Sequence, residues 1–301
     1  MTAGNAATMR QAFFRLHLSI FLAGFTGVLG KVITISEGML VWYRQALTLA
    51  LLWGILWVCG KLHRLPRRDI LRIGGAGVLL CLHWLFFYGS IKASNVSIGV
   101  VCFALVGLFT ALLEPLFAHR RLSAREVGFS LLTLLGIGLI FSFDTRYRWG
   151  IGLGVVSSLM AALFTIANKH VSSTHAAGMV LLYEMAGGLL FLSCLLPAYI
   201  HWWDITYLAP TPHDAIGLLL LSLFCTVGMF MLLIQALRHI SAFTVNLSYN
   251  LEPVYSIVIA ILFLDEGREL NAAFYAGLSV IVLSVALQSY VVWRQQRSLP
   301  R

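Results

Sequence analysis

The sequence predicts an all-α integral membrane protein, with ten transmembrane helices arranged as two inverted five-helix repeats. Three observations carry this. Ten apolar segments, each long enough to cross a bilayer, fill almost the whole chain. Hydrophobic residues make up 59% and charged residues 11%, where soluble domains carry about a quarter charged residues. Basic residues concentrate on alternate connections between the segments.

A helix needs roughly 20 apolar residues to cross the hydrocarbon core. Runs of that size lie near 13–33, 38–59, 70–91, 95–118, 126–143, 150–168, 177–199, 215–237, 242–264 and 272–293, here segments 1 to 10. Transmembrane strands would need only about 10 alternating residues each. The longest polar interruption runs from His201 to Asp214 and is too short to fold alone. Residues 1–146 therefore hold segments 1–5 and residues 147–301 hold segments 6–10, together one transmembrane domain. No small-residue cleavage site follows a short apolar core, so segment 1 is expected to be retained. Cys59, Cys81, Cys102, Cys194 and Cys225 show no CxxC or metal spacing and are expected as free thiols.

The formal net charge is +9. With the N-terminus inside, fifteen basic residues fall on cytoplasmic ends, among them Lys61, Arg64, Arg67, Arg68, Arg120, Arg121 and Arg125. Five fall outside: Lys31, Lys92, Arg146, Arg148 and Arg268. This is a positive-inside pattern that places both termini in the cytoplasm. The basic residues are topology signals, and no nucleic-acid partner is expected. Trp42, Trp149, Trp202, Trp203 and Trp293 fall near segment ends, as in an aromatic belt.

The two halves echo each other. Gly24, Gly27 and Lys31 in segment 1 have the spacing of Ala162, Thr165 and Lys169 in segment 6, at an offset of 138. One deep charge follows in each half, Arg44 and then Glu184. Ser90-Ile91-Lys92 closes segment 3, and Ala236-Leu237-Arg238 closes segment 8. Five is odd, so the second half must cross the membrane upside down. Inverted repeats place a binding site at their interface near midplane, and alternating access follows from rocking one half against the other.

Gly24 with Lys31 and Arg44, the second copy, and the Glu252-Pro253 segment leading to Asp265-Glu266 resemble the ten-helix branch of the drug/metabolite transporter superfamily. The resemblance covers roughly 13–293 and is strongest to bacterial amino-acid exporters, including those for aromatic amino acids. It implies a secondary transporter in a bacterial-type cytoplasmic (inner) membrane. Such a protein exports amino acids, aromatic or otherwise apolar, or similar small metabolites. The family often has a proline early in the fourth segment, matching Pro253 of the ninth. Here that level carries Leu105-Val106-Gly107, and Pro115 comes later.

A charge at the bilayer centre costs at least about 2.5–3.5 kcal/mol, so each one needs an account. Glu252 lies about ten residues, or roughly 15 Å, into segment 9. It is either a proton-coupling carboxylate or a structural acid bonded to a neighbouring helix. Asn246, Tyr249, Asn250 and Pro253, at i, i+3, i+4 and i+7, form one polar face of the same segment, either as a cavity wall or as interhelical glue. In segment 3, His83, Trp84 and Phe87 combine a titratable ring with aromatic faces. They could hold a substrate carboxylate and an apolar side chain, or pack as core. In segment 6, Ser158 and Thr165 lie on a face of small residues, which either leaves room for ligand or permits close packing, as do Gly24 and Gly27 in segment 1. Pro253 is a hinge candidate. Arg44 and Glu184 read as structural, without a direct pair. Lys31 and Lys169 are expected to snorkel to opposite interfaces.

The sequence lacks HExxH, GxSxG and Walker motifs, so no enzyme, metal or cofactor is expected. Gly150-x-Gly152-x-Gly154 opens a membrane segment and reads as helix packing. An integral-membrane enzyme acting on a lipid-linked substrate would need a polar cluster at one membrane face. A channel usually needs a symmetric pore. Both remain alternatives. The partners expected are a small-molecule substrate and the bilayer. A monomer is expected to suffice, because both repeats share one chain.

Overall fold

A computed structural model describes residues 3–118, 128, 131–132, 134–136, 138–139, 147–171, 175–237, 239, 248–249, 251–268 and 270–298. The helices are α1 (Ala3–Val32), α2 (Glu37–Val58), α3 (Arg67–Ala93), α4 (Val96–Phe103), α5 (Val106–Ala118) and α6 (Arg148–Val171). There follow α7 (Ala177–Trp202), α8 (Pro212–Ser222), α9 (Met229–Leu237), α10 (Glu252–Leu264) and α11 (Ala272–Ser298). A π-helical turn, Leu223–Gly228, joins α8 to α9, and a 3-10 turn, Glu266–Arg268, follows α10.

Seven helical spans among the described residues are long and apolar enough to cross a membrane. They match segments 1–4 and 6–8. Segments 9 and 10 are represented by shorter apolar helices, Glu252–Leu264 and Ala272–Ser284. Most of segment 5 lies outside the described residues. Leu71, Leu190, Leu262 and Phe263 are exposed while Arg44, Gln45 and Glu184 are buried, a polar-inside arrangement suited to lipid.

Two segments are broken. Segment 4 is interrupted by a turn at Ala104–Leu105, whose N–H groups donate to Val101 and Cys102. The break needs no proline; Pro115 lies inside α5. In segment 9, Leu251 forms a turn back to Ser248 and α10 starts at Glu252. Glu252 therefore sits in the first turn of a new helix, not ten residues into a continuous one. The cause is Pro253, which has no N–H to continue a helix but suits its first turn.

α3 packs on α6 and α7, α1 on α9 and α10, α2 on α7 and α8, and α4 on α6 and α10. At Gly74 and Gly77, α3 meets α7 backbone to backbone: a Cβ at Gly77 would overlap the Glu184 carbonyl, and Gly187 abuts Gly74. Gly150 at the start of α6 lies against Ser94 at the end of α3, while Asp69 at the start of α3 meets His175 beyond α6. Lys31, at the end of α1, reaches Ser94 too. So α1 ends where α6 begins, and the two run in opposite directions.

Neither described lysine in this region snorkels freely. Lys31 Nζ donates to the Ile91 and Ser94 carbonyls at 3.1 and 2.8 Å, closing the end of α3. Lys92 Nζ donates to Ile33 and Ile35 at 2.7 and 2.6 Å, closing the end of α1. Free helix C-terminal carbonyls attract cations more strongly than an interface does. The side chain of Lys169 lies outside the described part. Glu266 accepts from Val96 N, Ser97 N and Ser97 Oγ at 2.7, 2.9 and 2.7 Å, capping α4. Asp214 accepts from Thr34 N and Oγ1 at 2.6 and 2.9 Å and completes a capping box with Thr211.

Candidate functional site

The interior is organised around Arg44. α2 buries it to 2% exposure. Its Nη1 donates to the Tyr88 hydroxyl at 2.6 Å, and Nε and Nη2 donate to Thr226 Oγ1 at 3.1 and 3.0 Å. The guanidinium carbon lies 3.7 Å from the centroid of the Trp84 ring. Hydrogen bonds and the aromatic face offset part of the cost of burying the charge. Thr226 is available because the π-helical turn puts its hydroxyl on the Leu221 carbonyl, five residues back, and widens the helix there. Among the described residues, no carboxylate forms an ion pair with Arg44.

His83 lies one step along α3. Its Nδ1 is 3.1 Å from the Ser157 carbonyl and 2.9 Å from Ser157 Oγ, and Ser157 Oγ donates to the His83 carbonyl. That network assigns the Nδ1 proton toward Ser157 and leaves Nε2 as an acceptor in the neutral ring. The His83 ring sits 5.2 Å from Phe103 and 5.8 Å from Phe87. Phe87 in turn contacts Tyr88. His83, Phe87 and Phe103 thus form one aromatic layer, and Trp84, next to His83 on α3, lies against the Arg44 cation.

The other expected site residues divide. Ser158 is fully buried and its hydroxyl is committed to the Cys102 and Gly154 carbonyls at 2.8 and 2.9 Å, a seam between α4 and α6. Thr165 is exposed and bonds its own helix at Ala161. The Tyr249 hydroxyl is 3.3 Å from Ser19 Oγ on α1. Glu252 is half-buried, within electrostatic reach of Arg44, and next to Pro253 in the first turn of α10. Asn246 and Asn250 lie outside the described residues. Gly24 is a close-approach position: Ser256 Oγ donates to its carbonyl at 2.9 Å, and a Cβ there would sit 3.0 Å from Tyr255 Cβ. A Cβ at Gly27 would come within 2.9 Å of Val96.

Sequence reasoning missed Ser157, Phe103 and Thr226. Ser157 neighbours Ser158, so the Ser-Ser pair was the available signal, but its helical phase could not choose between them. A surface cavity of about 500 Å³ is lined by Thr34, Ser36, Asp204, Tyr207, Thr211 and Asp214. It belongs to the end of the bundle and not to the aromatic layer. The layer itself offers a fixed cation, a phenol, an imidazole and aromatic faces. These suit a small molecule that carries both an anionic group and an apolar one.

A polar interior wrapped in apolar helices defines a polytopic membrane protein that handles solutes. The chain belongs to the EamA-like transporter family, whose model matches residues 12–142 and again 148–290. It is a multi-pass membrane transporter. It is 22% identical over 296 residues to "Uncharacterized transporter YxxF" of Bacillus subtilis (strain 168), covering 95% of this chain and 91% of that protein. A protein of 16% identity solved by crystallography shares the fold, with a TM-score of 0.63 over 94% of this chain and 98% of its own.

Proposed function

We propose that this transporter exports amino acids with aromatic or other apolar side chains, or similar small metabolites, across a bacterial-type inner membrane. It works by alternating access between two inverted five-helix repeats, residues 1–146 and 147–301. The aromatic layer of His83, Phe87 and Phe103, with Trp84 against the buried Arg44, carries the reading. It matches the two ends of such a substrate, with Tyr249 and Glu252 completing the binding region. A single chain is sufficient.

Four observations support the repeat. The family model matches twice, on either side of residue 147. Exchanging segments 1–5 with 6–10 maps the contact of α3 with α6 onto that of α1 with α9, and α4 with α6 onto α10 with α1. Asp69 with His175 and Asp214 with Thr34 occupy equivalent places. The breaks at Ala104–Leu105 and Leu251 each come about ten residues into their sequence segments, 95–118 and 242–264.

The test is flux in proteoliposomes. Labelled phenylalanine, tyrosine, tryptophan and leucine should exchange saturably, and His83→Ala should weaken apparent affinity by about tenfold or more. Absence of saturable flux for every amino acid would overturn the substrate class. For orientation, single cysteines at Arg64 and Tyr207 separate the two sides. Only Tyr207→Cys should react with an impermeant thiol reagent from outside intact cells.

A further inference from the structure

α2 and α7 pack against each other across polar atoms that, among the described residues, have no nitrogen or oxygen partner, Gln45 having only the Cys81 thiol of α3 beside it. Gln45 Oε1 and Nε2, Thr48 Oγ1 and Glu184 Oε1 are all in this condition, on side chains that are 0, 0 and 1% exposed respectively. The helix register brings them together. Gly38 faces Tyr199, Gln45 faces Gly188 and Leu56 faces Gly178, so α2 and α7 are antiparallel. That register puts Thr48, one turn on from Gln45, at the level of Glu184 and Met185. Gln45 and Thr48 share one face of α2, and Glu184 and Gly188 share one face of α7. The glycines make the site narrow: a Cβ at Gly188 would overlap the Gln45 amide, and one at Gly77 would overlap the Glu184 backbone.

An ionised carboxylate without a partner in such a place costs several kcal/mol. The register sets an amide and a hydroxyl at the level of this carboxylate, so all three can offer hard oxygens. One carboxylate neutralises one unit of positive charge. We propose that Glu184, Gln45 and Thr48 form the binding site of a small monovalent cation, a proton or Na⁺, whose gradient drives the transporter. This rests on the transport reading above. The charged and titratable groups on the packed helices are already engaged or distant. Arg44 on α2 bonds Tyr88 and Thr226, and His83 on α3 bonds Ser157. Cys81 on α3 lies against Gly188, and Asp69 pairs with His175 at the bundle end. α2 and α7 are equivalent in the proposed repeat. A cation between them therefore lies on the line about which the halves exchange, where binding and release bias the conformation.

Dicyclohexylcarbodiimide tests this without any substrate, because it adds covalently to protonated carboxyls in apolar surroundings. Purified protein in liposomes is treated with it, and the Glu184 peptide is weighed by mass spectrometry. Glu184 should be modified. Suppression by NaCl but not by choline chloride assigns Na⁺; suppression only on raising pH, equally in both salts, assigns the proton. No modification, or modification indifferent to both, overturns the site. Gln45→Leu and Thr48→Val should shift the half-protecting Na⁺ concentration or pH by about tenfold or one pH unit. An unchanged midpoint in both overturns the ligand set. Glu184→Gln keeps the side-chain shape and should lose gradient-driven accumulation of substrate. If amino-acid flux holds while Glu184 fails to label, the cation site alone falls. If Glu184 labels as described while no amino acid moves, the substrate reading alone falls.

Discussion

The two ends of the bundle are held by different chemistry. Where α1 and α3 finish, Lys31, Lys92, Asp214 and Glu266 each make two or more hydrogen bonds, all of them reaching backbone groups of neighbouring elements. At the opposite end, among the described residues, Asp69 meets His175 at 3.1 Å, at 30% and 17% exposure. Charged hydrogen bonds to helix ends replace water for backbone groups that have no other partner, so breaking them is costly. A half-exposed pair loses little when it separates, because water takes over. Among the described residues, the first end is thus the more strongly bonded one, and in the proposed topology it faces outward.

Five substitutions grade this contrast. Glu266→Gln puts an amide N–H₂ against backbone donors and leaves buried groups unpaired. It should cost about 3 kcal/mol or more in thermal unfolding of the detergent-solubilised protein. Asp214→Asn removes the charge from the Thr34 latch and weakens the α8 capping box. A loss of about 1–2 kcal/mol is expected by the same measurement. Lys31→Met should cost about 1 kcal/mol. Combined with Lys92→Met, the effects should depart from additivity by about 0.5 kcal/mol or more, since the two lysines tie the same pair of helix ends. Asp69→Asn should cost under about 0.5 kcal/mol. Equal losses at Glu266 and Asp69 would erase the distinction between the ends.

Much of the fold was legible because lipid imposes a length rule on apolar runs. The spans around α1–α3 and α6–α8 follow from hydropathy and from short connections alone. The break in segment 4 was not legible: Ala104 and Leu105 carry no breaker, and the proline that drew notice, Pro115, is accommodated within α5. Segment 9 shows the reverse case, where Pro253 marks the restart but its position in the first turn had to be seen. In the site, His83, Trp84 and Phe87 were readable as one face of one helix. Ser157, Phe103 and Thr226 come from other helices, and no periodicity encodes which helices meet. Lys31 and Lys92 read as topology signals for the same reason, since the carbonyls they close belong to distant stretches of chain. Arg44 read as structural, and the structure gives it neutral hydrogen-bonding partners and an aromatic face.

The bare contact of Gly74 with Gly187 has a consequence for how the protein is made. α3 is synthesised well before α6 and α7, yet these are the helices it packs on. A nascent first half therefore enters the membrane with its glycine-lined face uncovered, waiting for partners still on the ribosome. Residues 1–146 expressed alone should be degraded or held by insertion factors, and rescued by co-expression of 147–301 as a separate chain. Substituting Gly74 or Gly187 with leucine should abolish that rescue while each half still inserts, because the defect lies in assembly and not in entry into the bilayer.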